Sequence, residues 1–440
     1  VVHTFEYGND YFALDVETGS VHILDKQGFD AVTLLAEAER RGEDIEKEAQ
    51  GSDVFEEILQ LKEEGLLFSK PEEAVKRPES VLKAACLHLA HDCSLRCDYC
   101  FAKGGAFAGK RELMSDETAK AAIDFIASAS GSRRNIEIDF FGGEPLLNFE
   151  VLKQTVGYAR SIEKERNKKF RFTVTTNAYH ITDEMKQYLD GNMNNIVVSI
   201  DGRPRVHDAI RKTAGGKGSY ERVVKNAKDL LLKRKGEYYI RGTYTADNLD
   251  FSKDVLHIAD MGFRGVSVEP VVTRGGNALR IDHLETLFRE YDALAHEYEK
   301  RRKEDKGFTF FHFMVDLDAG PCLQKRIRGC GAGTEYVAVA PSGDIYPCHQ
   351  FVGNPEFYLG SVSEGKLNES VCEKFDECNI FNIESCKECW AKYYCSGGCA
   401  AANFNMCGDI MKPYEIGCAI QKKRIEIAIA IAAKERMESE

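Results

Sequence analysis

Residues 81–101 read VLKAACLHLAHDCSLRCDYCF: ten mostly apolar residues run straight into three thiols, Cys93, Cys97 and Cys100. The first half has the β-branched, apolar character of a buried strand, and the second half lies on the loop that follows it. Cysteine usually holds zinc in fours, or in twos and threes completed by histidine. Three thiols without a fourth nearby leave two readings. Either a zinc site is completed from a distant part of the chain, or the fourth position is kept for something that is not protein.

Five further apolar runs follow: NIEIDFFGG (135–143), KFRFTVTTNA (169–178), NNIVVSIDG (194–202), EYYIRGTYTA (237–246) and FRGVSVEPVV (263–272). Amphipathic helical patterns separate most of them, at 116–129, 149–166 and 221–235. Strand and helix in alternation predict a parallel sheet with right-handed crossovers. Six units make an open doubly wound sheet or a partial barrel, and both place chemistry at the C-terminal ends of the strands. The three thiols fall at that end.

The 440 residues are too many for one ordinary core, so two or three domains are expected. In front of the sheet, HTFEYGNDYFALDVETGSVHILDK (3–26) gives three short strand-like runs, with helical patterns around 27–40 and 53–64. The polar, proline-bearing stretch 69–80 reads as a linker. From about 315 the chain turns cysteine-rich, holding eleven of the fifteen cysteines between 322 and 418. That segment is expected to have little apolar core of its own and to be held by metal. The divisions are therefore 1–75, 81–310 and 315–440.

A net charge of −12 argues against nucleic acid, whose binding needs a basic face. No run of eighteen apolar residues and no basic-then-apolar opening is present, so neither membrane span nor secretory signal is expected, and the cytoplasm is the expected location. The chain opens at Val1, so a short preceding segment is expected. An odd number of cysteines in CxxC-like spacings favours metal or iron–sulfur ligation in a reducing compartment over disulfides.

Cys93-x3-Cys97-x2-Cys100, with Tyr99 and Phe101 around the last cysteine, resembles the signature of the radical S-adenosylmethionine superfamily. The resemblance implies a partial (β/α)6 barrel and a [4Fe–4S] cluster on the three thiols. Its fourth iron would take S-adenosylmethionine, which is cleaved to a 5′-deoxyadenosyl radical. It implies cofactor contacts from Tyr99 and Phe101, and from Gly142, Gly143 and Glu144, where FFGGEP resembles the family's GGE motif. Asn177 in TTNA, Ser199 at the ribose and Arg211 at the methionine carboxylate complete the implied set. Without these neighbours, Arg211 reads as a surface arginine.

The tail spacing is Cys330-x12-Gly343-x4-Cys348, then Cys386-x2-Cys389-x5-Cys395-x3-Cys399, then Cys418. It resembles the SPASM domain of peptide-modifying radical enzymes; two zinc ribbons are the competing reading. The resemblance implies an outer auxiliary cluster on Cys386, Cys389, Cys395 and Cys418, and an inner one on Cys330, Cys348 and Cys399, making three [4Fe–4S] clusters. One inner position is then unfilled. Cys322 or a cysteine of the substrate could fill it, and the substrate is preferred. Sulfatase-maturing enzymes have an aspartate acting as a base where this chain has His349; a surface or structural histidine is the preferred reading of it, and a proton acceptor the other. Cys86 reads as core, and Cys372, Cys378 and Cys407 have no assignment.

The front block resembles a winged-helix-like peptide-recognition element, which would bind a leader peptide by adding a strand beside SVHILD (20–25). A plain small α+β domain and a DNA-binding winged helix are the other readings. Acidic helices argue against DNA. EYVAVAPSGDIYPCHQF (335–351) and ECWAKYYCSGGCAAANFN (388–405) resemble the maturases of small cysteine-rich peptides, the SCIFF class, which form sulfur-to-carbon thioethers as sactisynthases do. The implied partners are a ribosomally made precursor peptide and an electron donor such as flavodoxin or ferredoxin. Another SPASM peptide modifier, making carbon–carbon links or oxidising a side chain, is the alternative enzyme. A non-catalytic iron–sulfur electron carrier is the alternative outside enzymes.

Overall fold

The computed structural model describes residues 1–48, 53–70, 80–107, 109–317 and 327–439. Most of the expected linker, and Cys322, lie outside the described residues.

Three strands open the chain as an antiparallel meander: β1 (Val2–Tyr7), β2 (Asp10–Asp15) and β3 (Val21–Leu24). Side chains alternate between faces along a strand, and here both faces are buried. Val2 and Ala13 pack with Val32 and Leu35 of helix Lys26–Arg40 and with Ile58 and Leu67. Phe5, Phe12 and Leu14 join the main core of the molecule.

The main sheet is built from the six expected runs. They form β4 (Ala84–Ala90), then, after a short β5 (Leu95–Cys97), β6 (Asn135–Gly142), β7 (Lys169–Thr176) and β8 (Asn195–Ser199). After β9 (Arg211–Thr213) come β10 (Glu237–Tyr244) and β11 (Gly265–Pro270). The six lie side by side in the order β4-β6-β7-β8-β10-β11, all parallel. Alternation packs the sheet: Ile136, Ile138 and Phe140 of β6 meet Phe170, Phe172 and Val174 of β7, all fully buried or nearly so. Helices Asp116–Ala129 and Phe149–Arg166 occupy the expected crossovers, the first capped by Ser115 accepting from Thr118 N. The helix expected over 221–235 ends at Leu231, because Arg234 turns back to donate to the carbonyls of Asp190, Met193 and Asn194.

The sheet continues past the last crossover, with β12 (Thr309–Phe310) beyond β11 at one edge. At the other, β13 (Tyr336–Val339) pairs parallel to β4 and is followed by antiparallel β14 (Asp344–Tyr346) and β15 (Gly360–Ser361). This corrects the expectation that the tail lacks an apolar core. Val337, Val339, Ile345, Phe357, Leu359 and Phe375 are buried in the same core as the barrel strands. The tail's apolar residues are scattered between turns, so their density looked low, but their partners lie on β4 and on the C-terminal helix Glu415–Ser439. No helix among the described residues is long and apolar enough to cross a membrane.

Candidate active site

The thiol loop is tied down where β4 ends. Gly143 N donates to Ala90 O and Glu144 N to Asp92 O, both at 2.8 Å. A Cβ on Gly142 would lie 2.3 Å from Ala90 O, and one on Gly143 would lie 2.2 Å from Asp92 O. Only glycine fits either position, and what it makes room for is the backbone of the loop itself. Arg96 closes the loop from inside, its Nη1 donating to the carbonyls of Cys93 at 2.5 Å and Leu95 at 2.8 Å.

Within the loop, β5 pairs antiparallel with β9, which sets Cys97 directly opposite Arg211. Arg211 is buried, with its guanidinium 5.5 Å from the centre of the Tyr99 ring. Its Nε donates to Asp201 at 2.9 Å, while its terminal nitrogens make no hydrogen bond among the described residues. Burial works against the charge on Arg211, but Asp201 and the groups around it outweigh burial and keep it charged. Asp201, fully buried, also accepts from Tyr99 OH at 2.8 Å and from Thr243 N at 3.0 Å. Asp201 is the residue sequence reasoning passed over. A carboxylate ending an apolar strand run was the available signal.

A cavity of about 590 Å³ opens in front of the loop. From the barrel it is lined by Cys93, Cys97, Cys100, Ser199 and Arg211, and from the tail by Cys395, Cys399 and Cys418. Tyr99, Phe101, Gly142, Gly143 and Asn177 also line it. Asn177 Nδ2 lies 3.5 Å from Cys93 Sγ. Glu144 does not line it. Its carboxylate faces the end of β7, accepting from Thr176 Oγ1 at 2.7 Å and Asn177 N at 2.8 Å, and burial pushes it up to about 7.

His349 is partly buried, and its enclosed Nδ1 makes no hydrogen bond. It lines the cavity between Phe101 and Phe141, and burial, helped by Arg241, lowers it to about 4, so the ring is neutral. Glu269 and Arg424 meet on the same wall at 3.4 Å. Burial raises the Glu269 carboxyl, but His312, Arg424 and Arg241 outweigh it and hold the group below the usual range.

The tail thiols interact in two groups, with Cys378 beside members of both. Burial raises Cys386, Cys395 and Cys418 most, and neighbouring thiols within the group Cys386, Cys389, Cys395 and Cys418 raise them further; Cys348 and Cys399 are likewise raised by burial first and then by Cys330. Burial raises Cys93 to about 12, Cys97 to about 11, Cys386 to about 11 and Cys395 to about 12. Such thiols stay protonated until a cation replaces the proton. Cys86 is buried in β4, as expected. Cys378, left without a role by its spacing, lies near Cys386, Cys399 and Cys330 and donates to Ile410 O at 3.3 Å.

Comparison with known proteins matches two domain families. A family model described as Radical SAM superfamily matches residues 87–270, and one described as an iron-sulfur cluster-binding domain, SPASM, matches 330–390. The radical SAM cyclopropyl synthase TigE of Paramaledivibacter caminithermalis is 22% identical over 360 residues, covering 78% of this chain and 72% of that one. A structure of native anSMEcpe with bound AdoMet superposes with TM-score 0.68 at 18% identity, covering 81% of this chain and 100% of that one. Streptococcus suis SuiB bound to precursor peptide SuiA gives TM-score 0.55 at 14% identity, covering 94% and 98%.

The two domains imply S-adenosylmethionine and [4Fe–4S] clusters as cofactors, with auxiliary clusters in the second. The residues present fit them. The barrel thiols border a cavity, and beside them an arginine is anchored at Nε with its other nitrogens making no hydrogen bond among the described residues.

Proposed function

We propose that this chain, which joins a radical SAM domain to an iron–sulfur cluster-binding domain, closes a thioether between a cysteine sulfur and a carbon of a ribosomally made, cysteine-rich peptide. The observation that carries the reading is the single cavity bordered by thiols of both domains, Cys93, Cys97 and Cys100 on one wall and Cys399 on another. A peptide segment lying in it meets both thiol sets at once.

When bound, S-adenosylmethionine and the clusters supply a 5′-deoxyadenosyl radical that removes a hydrogen atom from a substrate carbon, and an iron site that holds the substrate sulfur and takes up one electron. The peptide loses a hydrogen atom to deoxyadenosine, a proton from its thiol and an electron, and gains one S–C bond. The chain's own residues orient the reactants. Arg211, fixed by Asp201, offers its free nitrogens to the methionine carboxylate. Ser199 takes the ribose, and the wall of Phe101, Phe141 and neutral His349 keeps water from the reactive carbon.

We assign Cys386, Cys389, Cys395 and Cys418 to the outer cluster, and Cys330, Cys348 and Cys399 to the inner one, whose open position takes the substrate sulfur. The leader docks on β3. Asp15 N donates to Ser20 O, so the ladder bonds alternate, and Val21 and Ile23 turn their N–H and C=O to the open edge. The likeness to SuiB, solved with a precursor peptide and spanning the front block as well, supports a peptide substrate. Flavodoxin or ferredoxin is the proposed electron donor.

A carbon–carbon bond former is the second reading, favoured by the similarity to a cyclopropyl synthase. Mass spectrometry separates the two. The reconstituted enzyme is incubated with short cysteine-rich candidate peptides, taken from any neighbouring reading frame that encodes one. A loss of about 2 Da that survives thiol reductant and disappears in the peptide's cysteine-to-serine variants supports the thioether. A loss that persists without the cysteines supports the carbon–carbon link. A loss reversed by reductant is a disulfide and refutes both.

A further inference from the structure

The loop bearing three of the four outer thiols is gripped by the N-terminal sheet. Glu17, two residues after β2, accepts from Lys392 Nζ at 2.8 Å and from Tyr393 OH at 3.0 Å. The ion pair is enclosed, with side-chain exposures of 7% for Lys392 and 5% for Glu17. Lys392 and Tyr393 open the four-residue helix Lys392–Cys395, which fills the interval between Cys389 and Cys395. Lys392 Nζ also reaches back to Lys387 O, beside Cys386, at 3.3 Å.

A second contact lies alongside. His3 of β1 stacks on Trp390, the residue after Cys389, with ring centres 3.8 Å apart and planes 4° from parallel. Its Nε2 is 3.0 Å from Glu426 Oε1, on the same C-terminal helix that carries Cys418. The front sheet therefore touches both chain segments that present the outer thiols.

We propose that Glu17 and His3 are positioning residues of the outer auxiliary iron–sulfur site, so that the front sheet is a working part of that site as well as a leader-binding surface. This rests on the cluster assignment made above. A helix of four residues cannot hold itself in water, and the contacts from Glu17 and His3 supply the support it lacks. Glu17 has an electrostatic role too. It neutralises an enclosed lysine next to the cluster ligands, and nearby charge sets the reduction potential of such clusters.

The test uses the full chain, reconstituted anaerobically, with iron analysis and an EPR-monitored redox titration. Cys418→Ala identifies the outer cluster's signal by its loss. Glu17→Gln leaves Lys392 uncompensated, and an added positive charge favours the reduced, more negative cluster. The outer midpoint potential should rise while the signal that responds to S-adenosylmethionine stays unchanged. Adding Lys392→Met should bring the potential back towards the wild-type value, a reversal that a purely mechanical role would not produce. If Glu17→Gln does not fold, Lys392→Met alone leaves Glu17 without its counter-charge and should lower the outer potential instead. Unchanged potentials in a wild-type background of about twelve irons per chain overturn the proposal. A wild-type chain saturating at four irons instead removes the cluster assignment beneath it.

Discussion

Replacing Asp201 with asparagine changes one oxygen to a nitrogen at the most connected buried group beside the thiol loop. The wild-type carboxylate takes hydrogen bonds from Tyr99 OH, Arg211 Nε and Thr243 N, and its side chain has no exposure to solvent. Asparagine keeps one acceptor oxygen, enough for two of these donors, and sets an N–H where Arg211 previously found an anion. The lost charge-assisted bond is worth about 1.5–3 kcal/mol. The guanidinium, 11% exposed, is then left without its counter-charge, and breaking a buried pair from one side costs about 3–5 kcal/mol of stability. Arg211 can recover part of this only by moving towards solvent, away from its place opposite Cys97. S-adenosylmethionine should therefore bind about ten- to hundredfold more weakly, with the iron content unchanged because no thiol is touched. Equilibrium dialysis of the reconstituted variant measures the affinity, and iron analysis provides the control. Affinity within about twofold of wild type, with all iron retained, refutes the claim that Asp201 sets Arg211 for the cofactor.

Two further outcomes follow from the front sheet and the core. Ile23→Pro removes an outward-facing donor of β3 while sparing the ladder to β2. Modification of leader-bearing peptide should fall sharply while uncoupled cleavage of S-adenosylmethionine persists; equal loss of both would point to damage beyond the docking edge. Burial, with help from Glu137, raises Asp139 from 3.8 to about 7. A carboxyl raised on folding contributes stability that is complete below its unfolded value and is lost as pH climbs to about 7, so Asp139→Asn should gain on wild type in melting temperature across that window. A constant difference from pH 4 to pH 8 would contradict it.

The parallel sheet was legible because its strands announce themselves locally. Each apolar run is bounded by turn residues, and each crossover carries a helical stripe, so β4, β6, β7, β8, β10 and β11 all fall where the pattern puts them. The thiol spacings were legible for the same reason, since spacing along a loop is a local quantity. What escaped was set by distance in the chain. Asp201 matters because Tyr99 and Arg211 converge on it, and nothing in VSIDG says so. His349 looked peripheral because its neighbours Phe101 and Phe141 are hundreds of residues away. Nothing in GGE announces that the Glu144 carboxylate takes hydrogen bonds from the end of β7, at Thr176 Oγ1 and Asn177 N.

The same reasoning bears on how separable the three blocks are. A front module joined by a polar linker reads as detachable, and removing residues 1–75 reads as a clean way to separate leader capture from radical generation. The packing argues otherwise. Alternation along β1 and β2 sends Phe5, Phe12 and Leu14 into the core shared with the barrel and tail, and only the opposite face meets the front helices. Deleting the block would bare those core neighbours and strip Lys392 of Glu17, Trp390 of His3 and Lys434 of Asp10. A point change at the β3 edge leaves all of that in place. Leader capture is therefore better dissected by Ile23→Pro than by truncation, because the surface that meets peptide and the surface that meets the outer thiols are two faces of one small sheet.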